Sequence, residues 1–254
     1  MPEGDTIHRT ASVMRAWLVG REVTAARTTT GAAVARLVGE TVEEVQARGK
    51  HLLVRFTGNL TLHSHMQMTG SWHVYSTGDR WRRPAHEARI VLDVTGDRVA
   101  VCFNAPTVEV IERRAEHLHP ALARLGPDVL DPPVDLDEVR RRAQTRAANV
   151  AIADLLLDQG VVAGIGNIWR AESLFAERTH PATPHGDLPP DRLDAIVLTA
   201  SRLMGAPTRP RPFVYGRTGR PCRRCRAPVT AARFANGRVV YWCPGCQPAA
   251  AVTR

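Results

Sequence analysis

The sequence predicts an α+β protein of several domains: an amino-terminal β-rich domain with one helix, a helical middle region and a carboxyl-terminal cysteine ribbon. Three observations support this fold class. Hydrophobic residues recur with a period of two between positions 23 and 111 and at helical spacing between 135 and 204. After position 220, four of the five cysteines form two Cys-x-x-Cys pairs. The chain of 254 residues is long enough for more than one modest domain.

The first predicted element is a capped amphipathic helix over residues 5–20. Asp5 is a suitable N-cap, and Gly20 stands where a C′ glycine is favoured. Apolar side chains recur between them at the spacing of one helical face. Residues 2–4 come just before the cap, so the helix would hold them in place.

The next region predicts an antiparallel sandwich or barrel-like domain with that one helix attached. Thr-Gly-Asn and Thr-Gly-Asp stretches at 57–59 and 95–97 are plausible hairpin turns. Strand-like alternation covers four segments, 42–56, 60–75, 88–94 and 98–103. Cys102 falls in the last of these and is expected to be a core residue.

A proline-rich segment at 118–133 is expected to be a linker, and helices are predicted after it. These helices cover about 135–146, 149–159, 167–177 and 190–204. A second proline-rich loop at 207–212 leads into the cysteine ribbon. The predicted divisions of the chain are therefore 1–117, 118–212, 213–248 and a disordered tail at 249–254.

The charge is divided unevenly along the chain. Residues 1–200 hold 23 basic and 25 acidic residues, whereas residues 201–254 hold 11 arginines and no acid. A tail of that composition favours an anionic partner, usually the phosphates of a nucleic acid, although a solvated arginine-rich surface is an alternative. No apolar run is long enough to span a bilayer, and no signal peptide is evident. We therefore expect a cytoplasmic, nucleoid-associated protein with no membrane partner.

The two cysteine pairs predict a metal site. Cys222 and Cys225 are followed, after 17 residues, by Cys243 and Cys246, which is the spacing of a four-cysteine zinc ribbon. An Asn236-Gly237 turn within 233–241 predicts the hairpin that joins the pairs. One structural zinc ion is expected, because disulfides, the alternative, are rare in the cytosol.

Two amines are candidate nucleophiles. Lys50 is the only lysine among 34 basic residues, and Pro2 would carry a free secondary amine once Met1 is removed. A terminal amine is about one-tenth neutral at pH 7, against roughly one in 2,500 for a lysine. Because a nucleophile must be neutral, Pro2 is favoured for attack, with Glu3 beside it as proton donor or acceptor. A solvated Pro-Glu terminus without a catalytic role is the alternative.

A glycine-rich stretch at 159–167 separates two predicted helices. Its glycines permit close backbone approach, and the free N–H groups of a helix beginning near Asn167 would bind an anion. Tight packing of the two helices is the alternative explanation for these glycines.

Six short motifs occur in the order found in one known family. They are Pro-Glu-Gly at 2–4, Gly-Lys at 49–50, Gly-Pro-Asp-Val-Leu at 126–130, Leu-Leu-Asp-Gln at 156–159, Gly-Ile-Gly-Asn at 164–167 and Tyr-Trp-Cys-Pro-Gly-Cys-Gln at 241–247. The chain therefore resembles the formamidopyrimidine-DNA glycosylase and endonuclease VIII family from end to end.

This resemblance implies a fold and a chemistry. The fold is a β-sandwich with a helix, a helix–two-turns–helix domain and a zinc ribbon, with damaged double-stranded DNA as partner. The chemistry is base removal by Pro2 acting on C1′ of the nucleotide, with Glu3 protonating the opening sugar ring. Lys50 would contact phosphate and assist proton transfer. The resulting Schiff base undergoes β- and δ-elimination, which cuts the strand. We expect the chain to act as a monomer.

The resemblance also implies residues that bind DNA. Asn167 and Arg238 would contact the phosphates that flank the flipped nucleotide, with Gly166 and Arg170 beside them. Residues 67–69, which are Gln67, Met68 and Thr69, match the wedge that fills the gap in the endonuclease VIII branch.

The choice of branch depends on two stretches. The purine-specific branch expects Asp-Pro-Arg-Arg-Phe after the last sandwich strand, and residues 104–108 read Asn-Ala-Pro-Thr-Val instead. Together with the wedge, this favours oxidised pyrimidines as substrates. The chain departs from the family at Asp5-Thr6, where Pro-Glu is usual, and at Thr69, where an aromatic residue is commoner.

The sequence also raises two alternative functions and the question of a second metal site. A non-catalytic zinc-ribbon DNA-binding protein and an RNA- or translation-associated protein are the alternatives to the enzyme. His63, His65 and His73 lie close in sequence, and the first two share a strand face. Without a third ligand, they predict no metal site.

Overall fold

A computed structural model describes residues 2–234 and 237–249. The chain divides into two compact units, Met1–Ala123 and Arg124–Arg254. The domain boundaries predicted at 117 and 212 stay predictions.

The first unit is the β-rich domain. Its helices are α1 (Gly4–Leu18) and α2 (Pro120–Ala123), with short 3-10 turns at Val34–Leu37, Ala85–Glu87 and Arg113–Leu118. Its strands are β1 (Val23–Thr28), β2 (Val42–Arg48), β3 (His51–Phe56), β4 (Leu60–His65), β5 (Ser71–Ser76), β6 (Ala88–Val94), β7 (Arg98–Phe103) and β8 (Thr107–Glu112).

The strands form two four-stranded antiparallel sheets, ordered β1-β6-β7-β5 and β2-β3-β4-β8. Alternate residues of β3, such as Leu52 and Val54, are buried in the main hydrophobic core with Ile90 and Leu92 of the other sheet. The predicted sandwich with one long helix is therefore confirmed, and Cys102 lies fully buried in its core. The opposite face of β3 carries His51 and Arg55.

Two details of this unit differ from the sequence-based expectation. Helix α1 begins at Gly4, with Glu3 rather than Asp5 at the N-cap, and Asp5 lies buried in the first turn as the partner of Arg9. Residues 104–106 do not follow the last strand of the sandwich, because β8 comes after them and pairs with β4.

The second unit is helical and ends in the ribbon. Its helices are α3 (Leu136–Gln144), α4 (Ile152–Leu155), α5 (Asn167–Ala176) and α6 (Pro190–Met204), and its strands are β9 (Thr230–Arg233) and β10 (Val239–Trp242). Helix α4 is much shorter than the predicted 149–159, because the amides of Ile152 and Ala153 bond to the loop carbonyls of Thr183 and Pro181.

The predicted linker at 118–133 is partly ordered structure. It contains α2, and Gly126 lies against the 159–163 stretch, where its amide donates to the carbonyl of Gln159 at 2.9 Å. A Cβ on Gly126 would lie 2.4 Å from the carbonyl oxygen of Val161. A side chain there would therefore clash, and glycine permits this approach.

The ribbon hairpin pairs β9 with β10 in antiparallel register from Arg233–Val239 to Trp242–Thr230. Gly237 has a positive φ, whereas Asn236, the other residue of the predicted turn, lies outside the described residues, as do 250–254 of the predicted tail. Within 2–234 and 237–249, no helix has the length and apolar character needed to cross a bilayer.

Candidate active site and nucleic-acid interface

The start of α1 holds Pro2 and Glu3. Glu3 is the N-cap residue, its carbonyl accepts the amides of Thr6 and Ile7, and the residue is 0% exposed. Pro2 immediately before it is half-buried. A fixed helix start therefore holds the residue whose nitrogen becomes the chain terminus when Met1 is removed.

Lys50 lies at the tip of the β2–β3 hairpin. Arg48 pairs with His51, so Gly49 and Lys50 are the only two loop residues. Gly49 has a φ of +59°, whereas the φ of Lys50 is negative. A positive φ at the first central residue only is the pattern of a type II′ turn. The Gly-Lys motif thus has a structural reason, because this turn favours glycine at its first central position.

The predicted wedge forms the β4–β5 turn. The amide of Gly70 donates to the carbonyl of Met66 at 2.8 Å, and a Cβ on Gly70 would lie 2.6 Å from that oxygen. Met66 is buried at the base of the turn, whereas Met68 is 61% exposed at its tip. The turn therefore presents an unbranched apolar side chain to solvent.

The glycine-rich stretch of the second unit is organised by Gln159. Its side chain donates to the carbonyls of Leu157 and Ile165 and accepts the amide of Gly164 at 3.0 Å. This folds the stretch back on itself just before α5 begins. Gln159 belongs to one of the sequence motifs, but this role could not be predicted from the sequence.

Asn167 joins the first turn of α5 to the ribbon hairpin. Its Nδ2 donates to the carbonyl of Val239 at 3.1 Å, and Gly166 is the N-cap of α5. Arg170 donates to Asn167 Oδ1 at 2.8 Å and to the same Val239 carbonyl at 3.3 Å. Arg238, next to Val239, is exposed. The structure thus brings Asn167 and the backbone beside Arg238 together.

Arg170 differs from the other predicted DNA-binding residues because it is 0% exposed. Besides Asn167, it donates to the carbonyl of Ala153 at 3.1 Å. Arg170 thus contacts Asn167 from a buried position, and its assignment to DNA binding stays a prediction.

Two buried residues that the sequence did not assign to the site attach the ribbon to the helices. The Glu172 carboxylate accepts the amides of residues 213–215 at 2.7–3.0 Å. Gln247 accepts the amide of Cys243 and donates to the carbonyl of Thr179. Both lie in or beside recognisable motifs, but only the fold shows which backbone groups they bind.

The four ribbon cysteines come together as a group that could hold a metal ion, with sulfur atoms within 4.8 Å of one another. The distance between Cys222 Sγ and Cys246 Sγ is 3.9 Å, and between Cys225 Sγ and Cys243 Sγ it is 3.3 Å. Sulfurs around a tetrahedral zinc lie about 3.8 Å apart, whereas a disulfide bond is about 2.05 Å. These residues fit a metal better than a disulfide pair, and all four are free thiols.

Two family models account for most of the chain. The formamidopyrimidine-DNA glycosylase N-terminal domain matches residues 1–119, and the formamidopyrimidine-DNA glycosylase H2TH domain matches residues 125–208. The chain belongs to the formamidopyrimidine-DNA glycosylase family.

Curated members of this family align over nearly the full chain. A probable endonuclease 8 2 of Streptomyces coelicolor is 42% identical over 97% of this chain and 94% of its own length. A DNA-(apurinic or apyrimidinic site) lyase Nei2 of Mycolicibacterium smegmatis is 38% identical over 98% of this chain and 100% of its own. Within the family, the chain is therefore closer to the endonuclease VIII members.

The family fold is also found among solved structures. The formamidopyrimidine-DNA glycosylase of Lactococcus lactis, solved with DNA containing an abasic site, superposes with a TM-score of 0.83 at 22% identity. The match covers 98% of this chain and 100% of that one. At this identity, the likeness supports the fold alone.

Proposed function

We propose that this chain is a bifunctional DNA glycosylase and abasic-site lyase of base excision repair. The relatives support this proposal, because proteins named endonuclease 8 and abasic-site lyase share 35–42% identity with nearly its whole length. The observation within the chain that carries it is the start of α1, where Pro2 precedes a buried, helix-capping Glu3.

In the proposed reaction, the Pro2 nitrogen attacks C1′ of the damaged nucleotide and the base leaves. The nucleophile must be neutral, and a terminal secondary amine reaches that state near pH 7 far more readily than a lysine. Glu3 donates a proton to the opening sugar ring. Because Glu3 is withdrawn from solvent, the proton passes directly between carboxyl group and sugar.

Elimination follows from the Schiff base between Pro2 and C1′. Loss of a proton from C2′ expels the 3′ phosphate, and a second elimination expels the 5′ phosphate, so the strand is cut on both sides of the sugar. Lys50 would bind a phosphate and assist proton transfer. Arginine does not serve in that role, because its guanidinium does not lose its proton in proteins.

Asn167 and Arg238 would bind the phosphates flanking the damaged nucleotide. The bond from Asn167 to the Val239 carbonyl supports this, because it fixes the helix start and the hairpin strand relative to each other. The ribbon would hold one structural zinc, with Cys222, Cys225, Cys243 and Cys246 as ligands. Zinc supplies no chemistry to the reaction, and its role is to keep the hairpin folded.

The proposed substrates are oxidised pyrimidines in double-stranded DNA. The exposed Met68 supports this choice, since an apolar side chain can fill the space that a flipped nucleotide leaves. The Asn-Ala-Pro sequence at 104–106, between β7 and β8, lacks the arginines expected of the purine-specific branch and supports it as well. We propose a monomer that works in the cytoplasm, associated with the nucleoid.

Borohydride reduction with abasic duplex DNA tests this function. We expect a covalent adduct through residue 2 with the natural chain, and no adduct at residue 2 with protein that retains Met1, because the Pro2 nitrogen is then part of a peptide bond. Mass spectrometry of the adduct should place the link on residue 2. DNA binding without any adduct would support the alternative of a non-catalytic DNA-binding protein. A preference for structured RNA over abasic duplex at matched salt would support the alternative of an RNA-associated protein.

A further inference from the structure

A chain of four polar side chains crosses the face of the β2-β3-β4-β8 sheet that lies opposite the main core. His51 Nδ1 is 2.8 Å from His63 Nε2, and His63 Nδ1 is 2.7 Å from Glu109 Oε1. The same oxygen lies 3.0 Å from His119 Nε2. We call these residues, His51, His63, Glu109 and His119, the histidine chain.

The direction of each hydrogen bond in the histidine chain follows from the tautomer of His119, at one end of the chain. The amide of Ala121 donates to His119 Nδ1 at 3.3 Å, so the proton of a neutral His119 is on Nε2 and donates to Glu109. Glu109 also accepts from His63 Nδ1–H. His63 Nε2 is then a lone pair and accepts from His51 Nδ1–H. All four bonds are satisfied in a single tautomeric arrangement.

The same cluster could be a second metal site, because His63, Glu109 and His119 place ligand atoms within 4.8 Å of one another. The sequence had offered no third ligand, and the structure supplies two, Glu109 and His119. The hydrogen-bond arrangement is favoured nevertheless. A metal on His119 Nε2 would move the proton to Nδ1, where it would face the amide proton of Ala121.

The histidine chain ends beside Lys50. His51 follows Lys50 directly at the end of the two-residue β2–β3 turn, and its ring lies 4.6 Å from that of His65, its cross-strand partner. The charge of Lys50 contributes to lowering the pKa of His65. The tip of the hairpin is thus connected, through His51, to His63 on β4, Glu109 on β8 and His119 after β8.

The imidazoles near Lys50 are held uncharged. Burial is the largest cause that lowers the pKa of His51 to about 3, and neighbouring titratable and charged groups lower it further. Burial also lowers the pKa of His63, although Glu109 opposes the shift, and that of His65. The cationic or titratable groups that act on His51 are His65, His63, His119 and Arg48.

We propose that Glu109, acting through His63, fixes His51 as a neutral imidazole and thereby positions Lys50 at the tip of the β2–β3 turn. This inference rests on the proposed function of Lys50. His51, His63 and Glu109 are positioning residues, because they act on the reaction through Lys50.

His63→Asn is the informative change. The amide nitrogen of asparagine can replace His63 Nδ1 toward Glu109, but nothing replaces Nε2 toward His51. His63→Gln is the matched rescue, because its amide oxygen can take the place of Nε2 and accept from His51. His117→Asn is the control, since His117 is an exposed histidine of the same domain.

Lys50 itself provides the readout, because protein labelled with ¹³Cε-lysine gives a single lysine signal. In the natural chain and in His117→Asn, we expect this signal to show no inflection between pH 8 and pH 5. In His63→Asn, His51 loses the acceptor that sets its tautomer and should become protonated at a higher pH than in the natural chain, although burial still lowers its pKa. The Lys50 signal should shift at that pH. His63→Gln should behave like the natural chain.

Activity provides the second readout. We expect His63→Asn to lower kcat about 10-fold with little change in KM, and the loss to grow as the pH falls. If His63→Asn does not fold, Glu109→Leu carries the same test, since it removes the oxygen that accepts from His63 and His119.

Three results would overturn the proposal. One is a folded His63→Asn protein whose Lys50 signal and kcat match those of the natural chain. Another is an inflection in His117→Asn as large as in His63→Asn. The third is a second equivalent of bound metal that His119→Asn removes. If the Lys50 signal of His63→Asn shows the inflection while Lys50→Arg keeps full activity, the effect of the histidine chain on Lys50 is supported and the catalytic role of Lys50 is contradicted.

Discussion

At the scale of single residues, Lys50 separates binding from proton transfer. In Lys50→Arg, the positive charge and the phosphate contact are retained, but the group no longer exchanges its proton. We expect similar affinity for lesion-containing duplex and base removal slowed by about 100-fold, as for loss of a general acid–base group. Single-turnover kinetics with a binding measurement at matched salt checks this. Unchanged turnover of Lys50→Arg would show that Lys50 does not transfer a proton in the reaction.

The sequence located these residues but not all of their settings. Lys50 stood out as the only lysine, and Pro2 and Glu3 stood out by their chemistry. The N-cap was assigned to Asp5 because aspartate is a favoured N-cap residue, and only the backbone of Glu3, with φ −119° and ψ 179°, shows that the cap lies two residues earlier. Arg170 is assigned to DNA from the family resemblance, and its burial could not be read from its position in the sequence.

At the scale of elements, the β4–β5 turn is expected to stabilise the extruded state of the damaged nucleotide. Met68→Ala should lower kcat/KM on a paired lesion about 10-fold, because the gap in the duplex loses its apolar filling. The same lesion in single-stranded DNA has no gap to fill and should be cut at an unchanged rate. Val38→Ala is the matched control, since Val38 is also exposed and apolar. Equal losses on both substrates would mean that Met68 acts elsewhere.

Elements whose apolar residues are regularly spaced were predicted well, and elements fixed by contacts distant in sequence were not. The residues of β6, β7 and α6 match the predicted 88–94, 98–103 and 190–204. Strand β8 was missed because its inner residues are few and Glu109, on its other face, is covered by His119. Helix α4 was overestimated because its first amides bond to a loop distant in sequence, which local periodicity does not report.

At the scale of the whole molecule, the buried histidines make stability depend on pH. The pKa values of His51, His63 and His65 are lowered in the folded state, so the unfolded chain binds more protons below pH 6.5. Stability should therefore be flat from pH 8 to pH 7 and fall as the pH drops from 6.5 to 5. His51 alone accounts for about 2 kcal/mol over that fall.

Urea unfolding at pH 7.5 and pH 5 measures this dependence. The lowered pKa values of Glu109 and Glu116 act only below their usual range near 4.5, so they do not explain a change above pH 5. A free energy of unfolding that is equal at the two pH values would contradict buried neutral histidines.

The ribbon couples metal binding to DNA binding. Cys243→Ser removes one of four thiolates, so we expect metal content to fall from one equivalent toward zero and affinity for DNA to fall at least about 10-fold. Cys102→Ala is the control, because Cys102 is distant from the ribbon in sequence and lies in the sandwich core. Full affinity for DNA in metal-free protein would show that the ribbon hairpin folds without the metal.

The Glu172 carboxylate, which gathers three consecutive amides of residues 213–215, divides the arginine-rich end of the chain into two parts. The amides are held by a helix, whereas the fold of the ribbon after them depends largely on the four cysteines. When a chelator strips the metal, trypsin should first cut after Arg217, Arg223 or Arg224 and spare Arg202, which is exposed on α6. Cleavage would thus separate the helical scaffold from the metal-dependent finger.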